Sequence, residues 1–503
     1  MSKTRSIGTA LSLALCSAAL AGCNYSNQGS NQNEATSNAS TSDIDGNWKS
    51  DTEKQLRDAI AGAAANGLRA ELFLKGGETG PALTQAALKY ASALANGYSD
   101  PTKLHEVYTI PYKPVDVRRG LQQALQKGDV KSWLDSLAPQ TDEYRALSQA
   151  HLHFLDLAKT PFQPVSDGKP IKPGSHDPRV AQVAAALRAV GYLGPAGPQV
   201  QPDSPRSRAL ETPPSNSAAP TVYSPELVAA VKKLQHDYGF KPDGIIGGNT
   251  LDALNAGPAY RARELAVAME RLRWLPRDPP GTRIDVNTAA SFLDYWRDGQ
   301  HVDHREVVEG EPDKPTPQLQ APIVRLVANP TWTVPKGIGA KELADKSPAW
   351  LKQNQFVMKD GQYVQQSGPK NSLGLVKFDM NDKEAIYLHD TPAKALFGMD
   401  DRHRSHGCVR VQNAVQFATA LAQQEGVLDQ FQQAMQGKDE TFIKLPQPIP
   451  VRLIYATVFW DGSAVQFRQD DYGWDDNVAK ALGLEAGPPQ KIEQPESSDE
   501  IAP

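Results

Sequence analysis

Cysteine is scarce, with three in 503 residues, at Cys16, Cys23 and Cys408. That excludes a small disulfide-stapled scaffold, and the length instead allows about three domains at the usual ~150 residues each. Excess positive charge is lacking too. Asp and Glu number 58 against 53 Lys and Arg, for a net charge of -5 without a long basic run, so a nucleic-acid partner has no electrostatic footprint. No stretch approaches the ~20 consecutive apolar residues that cross a bilayer. Turn formers are plentiful: 38 Gly and 39 Pro, in a chain with 40% hydrophobic and 22% charged residues, imply modules joined by linkers.

Lys3 and Arg5 precede a largely apolar stretch from Ile7 to Leu20 that ends in small residues, the layout of a secretory signal. The ending Leu20-Ala21-Gly22-Cys23 resembles the bacterial lipobox. That resemblance implies a lipoprotein signal over 1–23, lipidation of Cys23, and, with Asn24 next, transit to the outer membrane. The expected location is the periplasm, lipid-anchored. Cys16 is the rival but follows an ill-fitting Leu15, and an ordinary signal peptide with an accidental cysteine is the alternative. Once Cys16 leaves and Cys23 is capped, Cys408 stands alone in a disulfide-permissive compartment.

The expected fold class is multidomain α+β. Residues 24–50, rich in Asn, Ser and Thr, read as a disordered tether, and the acidic, Pro-containing 486–503 as a disordered tail. Over 51–165, apolar residues recur at helical spacing (Leu83, Ala87, Tyr90, Ala91, Leu94; Leu121, Ala124, Leu125), predicting an all-α scaffold without chemistry of its own. A helical pattern from Asp177 to Val190 precedes a Pro- and Ser-rich stretch. Ser224 and Pro225 then read as cap and first turn of a helix burying Leu227, Val231 and Leu234, followed by a Pro242-Asp243-Gly244 turn and a short helix with Leu251 and Leu254. These residues resemble the three-helix peptidoglycan-binding domain, placed at 176–255 with the Pro-rich stretch inserted. The resemblance implies glycan binding, although such a domain also serves as a spacer.

After a helix at Glu264 to Trp274 the period becomes strand-like: Arg283 to Val286, Phe292 to Trp296, Val302 to Val308, Ile323 to Ala328, Gly374 to Phe378, Ile386 to Leu388, Phe442 to Leu445, Val451 to Phe459 and Val465 to Phe467. A mainly β domain is expected over 258–470. The span 333–368, helical at Lys341 to Gln353, reads as an inserted lid.

The densest reactive stretch is His403-Arg404-Ser405-His406-Gly407-Cys408-Val409-Arg410, preceded by Tyr387-Leu388-His389-Asp390. A thiol needs a neighbouring imidazole or cation to ionise near neutral pH, and His389, His406, Arg404 and Arg410 are candidates. The Gly407 and Cys408 amides are candidates for an oxyanion hole. His389, fifteen intervening residues, then Ser405-His406-Gly407-Cys408 resembles the signature of the L,D-transpeptidase catalytic domain. Trp274-Leu275-Pro276-Arg277, Asn329-Pro330-x-Trp332 and Gly368-Pro369-Lys370-Asn371-Ser372 are similar to its large, lidded Gram-negative branch, although the lid looks short and Val411 stands where much of the family carries Asn.

The resemblance implies a catalytic Cys408 that attacks a peptidoglycan tetrapeptide stem and releases D-alanine, with His389 as base and the Asp390 carbonyl orienting its ring. The thioester then passes to an amine, forming a 3→3 cross-link. The resemblance also implies carbapenem acylation of Cys408. Ser405, His406 and Arg410 are expected to shape the site or hold substrate, with Arg410 equally open to a structural role, while His403 and Arg404 read as solvated loop charges. Water as acceptor (an L,D-carboxypeptidase), attachment or detachment of lipoproteins, and a non-catalytic wall-binding protein are the alternatives. Zinc held by His389, His406 and Cys408 competes only weakly, because no His-Glu-x-x-His helix or paired Cys spacing exists. No cofactor and no metal are expected.

Overall fold

The computed structural model describes residues 48–111, 114–194, 221–485 and 487. The expected signal with Cys23, the tether up to residue 47, the Pro-rich insertion and all but residue 487 of the tail lie outside them. Among the described residues no helix is long and apolar enough to cross a membrane.

The N-terminal part is helical, with helices Ser50–Ala61, Gly80–Asn96, Val117–Lys127, Val130–Asp135 and Asp142–Leu157. Side chains cap three of them: Asp116, Asp129 and Thr141 accept from the amides of Arg119, Ser132 and Tyr144 at 3.1, 3.2 and 3.2 Å. The Leu83, Ala87, Tyr90, Ala91 and Leu94 stripe is buried, as its spacing requires. Helices Val180–Ala189, Pro225–Asp237 and Asn249–Asn255 form the second module. Ser224 caps the middle one, and Gln235 fastens the following turn, donating to Asp243 at 2.9 Å and accepting from the Gly244 amide at 2.8 Å.

Helix Gly257–Trp274 starts earlier than its sequence pattern suggests and is buried on almost every face. Several of its charges find partners. Arg273 bonds Glu270 at 2.6 Å and the Tyr144 hydroxyl at 2.7 Å, while Arg271 pairs with Asp475. Both helical modules pack on this helix in one hydrophobic core, which also takes Val458, Val465 and Phe467 from near the C-terminus. The modules are thus not strung on independent linkers, as the abundance of Pro and Gly suggests.

The β domain comprises β1 (Arg283–Asn287), β2 (Phe292–Arg297), β3 (Gln300–Gly310), β4 (Leu319–Ala328), β5 (Trp332–Thr333), β6 (Phe356–Lys359), β7 (Gln362–Gln365), β8 (Val376–Met380), β9 (Leu388–His389), β10 (His403–Ser405), β11 (Val409–Val411), β12 (Thr441–Ile454), β13 (Val458–Trp460) and β14 (Val465–Phe467). The main sheet runs β10-β3-β11-β9-β8-β4-β12-β1-β2, and β2 also pairs with β3. That second pairing closes the sheet into a barrel, with β10 added on β3. Helices Ala414–Gln424 and Leu428–Gln436 supply Phe417, Leu421 and Phe431 to its core. The runs expected at 442–445 and from 451 are one strand, β12, whose register shifts between Lys444 and Ile449, where Pro446 and Pro448 fall. Residues 458–460 instead form a hairpin with β14, outside the barrel.

The insertion expected to be a lid has strands as well as helical turns. β5, β7 and β6 form a small sheet, joined by helical segments Lys336–Ile338, Gly339–Leu343 and Pro348–Gln353. It has its own core of Trp332, Val334, Leu343, Phe356 and Leu373, with Tyr387 packed against it.

Candidate active site

The reactive residues sit where β9 and β11 run side by side in parallel, with Leu388 opposite Val409 and His389 opposite Arg410. Side chains alternate between faces along a strand, and paired residues share one. Leu388, Val409 and Val411 therefore point into the barrel core, where they are buried. Tyr387, His389, Cys408 and Arg410 share the opposite face, toward the lid.

His389 is fully buried, and its Nδ1 lies 2.5 Å from the Asp390 carbonyl oxygen. Neutral imidazole presents N–H to a carbonyl, so Nδ1 donates and Nε2, which has no hydrogen-bond partner, keeps its lone pair. Burial, with Arg410 and Lys377 nearby, depresses the imidazole to about 3. The Asp390 carboxylate accepts from the Leu375 amide at 3.0 Å and pairs with Lys394. Gly374 (φ 62°) lies against that carboxylate; a Cβ there would come within 2.4 Å of Oδ2, so only glycine fits.

Cys408 is buried just before β11, with Sγ 4.0 Å from the Ala385 carbonyl and in contact with the Tyr387 hydroxyl. Burial pushes the thiol up to about 11, against the pull of Tyr387 and Lys377. The resting pair is therefore neutral thiol and neutral imidazole, rather than the ionised thiol expected beside an imidazole.

The Ser405-to-Cys408 turn is held from inside. The Ser405 hydroxyl donates to the Cys408 carbonyl at 2.6 Å and accepts from the Gly407 amide at 3.1 Å. Gly407 adopts φ 112°, a conformation side-chain-bearing residues avoid, and its carbonyl accepts from Thr316 Oγ1 at 2.9 Å. The Gly407 amide expected in an oxyanion hole is thus engaged by Ser405 in this conformation. Ser405 is a turn brace, not an exposed substrate contact.

His406 faces the lid, its Nε2 3.1 Å from Glu342 Oε1. Arg410 is buried, and its guanidinium donates to the Arg404 carbonyl at 3.4 Å. His403 departs from the solvated loop charge expected of it: it is 4% exposed, 3.0 Å from the Thr288 carbonyl and 3.3 Å from buried Glu309. Burial works against its charge, but Glu309, Asp401 and Asp471 outweigh it and hold the imidazole at about 9. Arg404 is half-buried and bonds Asp401 at 3.3 Å. Tyr387, Lys377, Thr316 and Glu342 are site residues the sequence reading missed. Tyr387 stood inside the quoted Tyr-Leu-His-Asp run, whereas the other three come from other segments of the sequence. Lys377 lies opposite His389 on β8, with Nζ 4.1 Å from the centre of the Tyr387 ring.

A groove of about 940 Å³ between the helical modules, β2, β3 and the β13–β14 hairpin is lined by neither Cys408 nor His389. Its wall holds Asp294, His301 and His304, the one group among the described residues whose ligand atoms converge as a metal site requires.

Cys408, just before β11, and His389, on the parallel strand β9, thus lie on one side of a closed barrel. Residues 281–428 match the L,D-transpeptidase catalytic domain family, which takes in both residues. Residues 45–150 match the scaffold domain family, and 176–254 the family described as "Putative peptidoglycan binding domain". The chain thus carries an L,D-transpeptidase catalytic domain and a peptidoglycan-binding domain in a multidomain α+β fold. A Haemophilus influenzae protein named "Putative L,D-transpeptidase" is 28% identical over 240 residues, 43% of this chain and 49% of that protein, so the match spans about half the relative's length. The crystal structure of an L,D-transpeptidase from Xylanimonas cellulosilytica is 15% identical and covers 58% of this chain and 100% of its own, with a TM-score of 0.20. The NMR structure of the E. faecium L,D-transpeptidase catalytic domain acylated by ertapenem is 14% identical, covering 35% of this chain and 99% of its own, also at 0.20. Such loose superpositions carry no argument about function.

Proposed function

We propose that the protein is a peptidoglycan L,D-transpeptidase that works through a Cys408 thioester. The carrying observation is the shared face of β9 and β11. There the thiol and the imidazole share one face, the ring is oriented by the Asp390 carbonyl, and its Nε2 is left without a hydrogen-bond partner. Nε2 takes the Cys408 proton as Sγ attacks the carbonyl between the third and fourth residues of a tetrapeptide stem. The Cys408 amide, rather than the engaged Gly407 amide, faces the developing oxyanion. As the carbon–nitrogen bond breaks, the proton passes to the departing D-alanine amine and the thioester remains. The side-chain amine of a second stem's diamino acid then attacks, loses its proton to His389 and expels the thiol, giving a 3→3 cross-link. A Cys23 lipid anchor in the outer membrane would hold the chain in the periplasm beside this substrate, and the second module would hold the glycan.

The test is mass analysis of soluble protein, lacking the signal, incubated with disaccharide-tetrapeptide. A dimer short of one D-alanine, absent with Cys408→Ala, is the expected product. Tripeptide without dimer would make water the acceptor, and transpeptidation surviving in Cys408→Ala would remove the nucleophile.

A further inference from the structure

Asp294 lies on β2 and His301 and His304 on β3, with the Asp298-Gly299 turn between the strands. Two residues three apart on a regular strand point to opposite faces. Here the register shifts, His304 facing Asp294 and His301 facing Trp296, so the extra residue of a bulge returns both imidazoles to one face. His301 Nε2 and His304 Nδ1 each lie 2.8 Å from the same oxygen, Asp294 Oδ1, and the three candidate ligand atoms are all within 4.8 Å of one another. Tetrahedral zinc with bonds of about 2.0–2.1 Å sets its ligand atoms roughly 3.3 Å apart, so side-chain adjustments on an intact hairpin suffice.

The surroundings favour a cation. Phe292 packs on the His304 ring and Trp296 on the His301 ring, at centroid distances of 5.3 and 5.1 Å, which limits their rotamers. One carboxylate oxygen, Asp294 Oδ1, already faces both imidazoles. Two imidazole nitrogens and one carboxylate are a borderline donor set, matched to zinc rather than to magnesium or calcium.

We propose that Asp294, His301 and His304 bind a divalent zinc-class ion on the wall of the interdomain groove, on elements separate from Cys408. Three protein ligands leave one position open. That position faces the groove shared with His236, Tyr238 and Asn249 of the peptidoglycan-binding module, where a carboxylate or carbonyl of a wall fragment can fill it.

The site stands or falls independently of the transpeptidase reading. The experiment is titration of zinc chloride into tag-free protein carrying Cys408→Ala, which removes the thiol as a rival ligand, by calorimetry and competition with a zinc-responsive dye. One ion per chain is expected, with X-ray absorption at the zinc edge showing two imidazoles and oxygen donors. Adding His301→Ala and His304→Ala should weaken binding by at least about tenfold. Both histidines are exposed, so the metal-free thermal midpoint should be unchanged and a folding defect is distinguishable. Equal affinity in the histidine variant, no binding up to millimolar zinc, or binding only where Cys408 is present would each overturn the proposal.

Discussion

A thiol held up to about 11 beside an imidazole held down to about 3 does not rest as thiolate and imidazolium. In the proposed reaction the proton therefore moves during attack, with His389 as the general base. Alkylation of Cys408 by iodoacetamide should then keep accelerating from pH 7 to 10; a plateau already reached below pH 7 would show a preformed ion pair. His389→Ala should lower turnover by about 10²–10⁴. The same depression couples to stability. Because the folded pKa lies below the ordinary 6.5, the unfolded chain binds the extra proton, so this contribution is complete above pH 6.5 and lost as pH falls toward 3. His105 and His151, lowered by burial to about 3 and about 4, have the same sign. His389→Gln should therefore lose less urea resistance than the parent between pH 7 and 4.5, and equal losses would show that His389 is not buried neutral. Cys408 and His389 were legible in the sequence because the catalytic run is nearly contiguous. Asp294, His301 and His304 were not, because a bulge, not a spacing, brings them together.

The lid shows where element-level reading stopped short. Phe356-Val357-Met358 and Tyr363-Val364 flank Asp360-Gly361, a strong short-range hairpin signal, and φ values of 49° and 77° place a tight turn there. Reading the insertion as helix and loop overlooked β6 and β7, and with them the sheet that makes the lid a folded unit. Its core is a cluster separate from the barrel core and touches the site through Tyr387, which contacts the thiol. Leu343, fully buried in that cluster and next to Glu342, is the place to loosen it. Leu343→Ala should cost the lid about 2–5 kcal/mol. Alkylation of Cys408 should speed up several-fold while the barrel's thermal midpoint barely moves. Unchanged alkylation would mean that something other than the lid shields the thiol.

Across the whole molecule, Arg261 joins parts that lie far apart in sequence. Its guanidinium lies 5.6 Å from the ring centre of Phe154 in the scaffold, 5.5 and 5.1 Å from Tyr192 and Tyr238 in the peptidoglycan-binding module, and 5.4 Å from Phe467 on β14. The Ala253 carbonyl accepts from Nη2 at 3.2 Å, while Nε and Nη1 have no hydrogen-bond partner, so the rings, together with the Tyr192 hydroxyl and the nearby Glu264, compensate the cation's burial. No pattern around residue 261 announces this, since helical periodicity there is drowned by burial on every side. Arg261→Met keeps most of the volume and removes the charge, and should cost about 2 kcal/mol if the desolvated cation–π contacts stabilise the junction. Arg261→Ala adds a cavity and should cost more. Scanning calorimetry should show the helical modules melting together in the parent and the peptidoglycan-binding module separating first in Arg261→Ala, with earlier proteolysis after residue 160. A Met variant as stable as the parent would instead mean that the arginine serves by volume alone, as apolar replacements of buried charges often show.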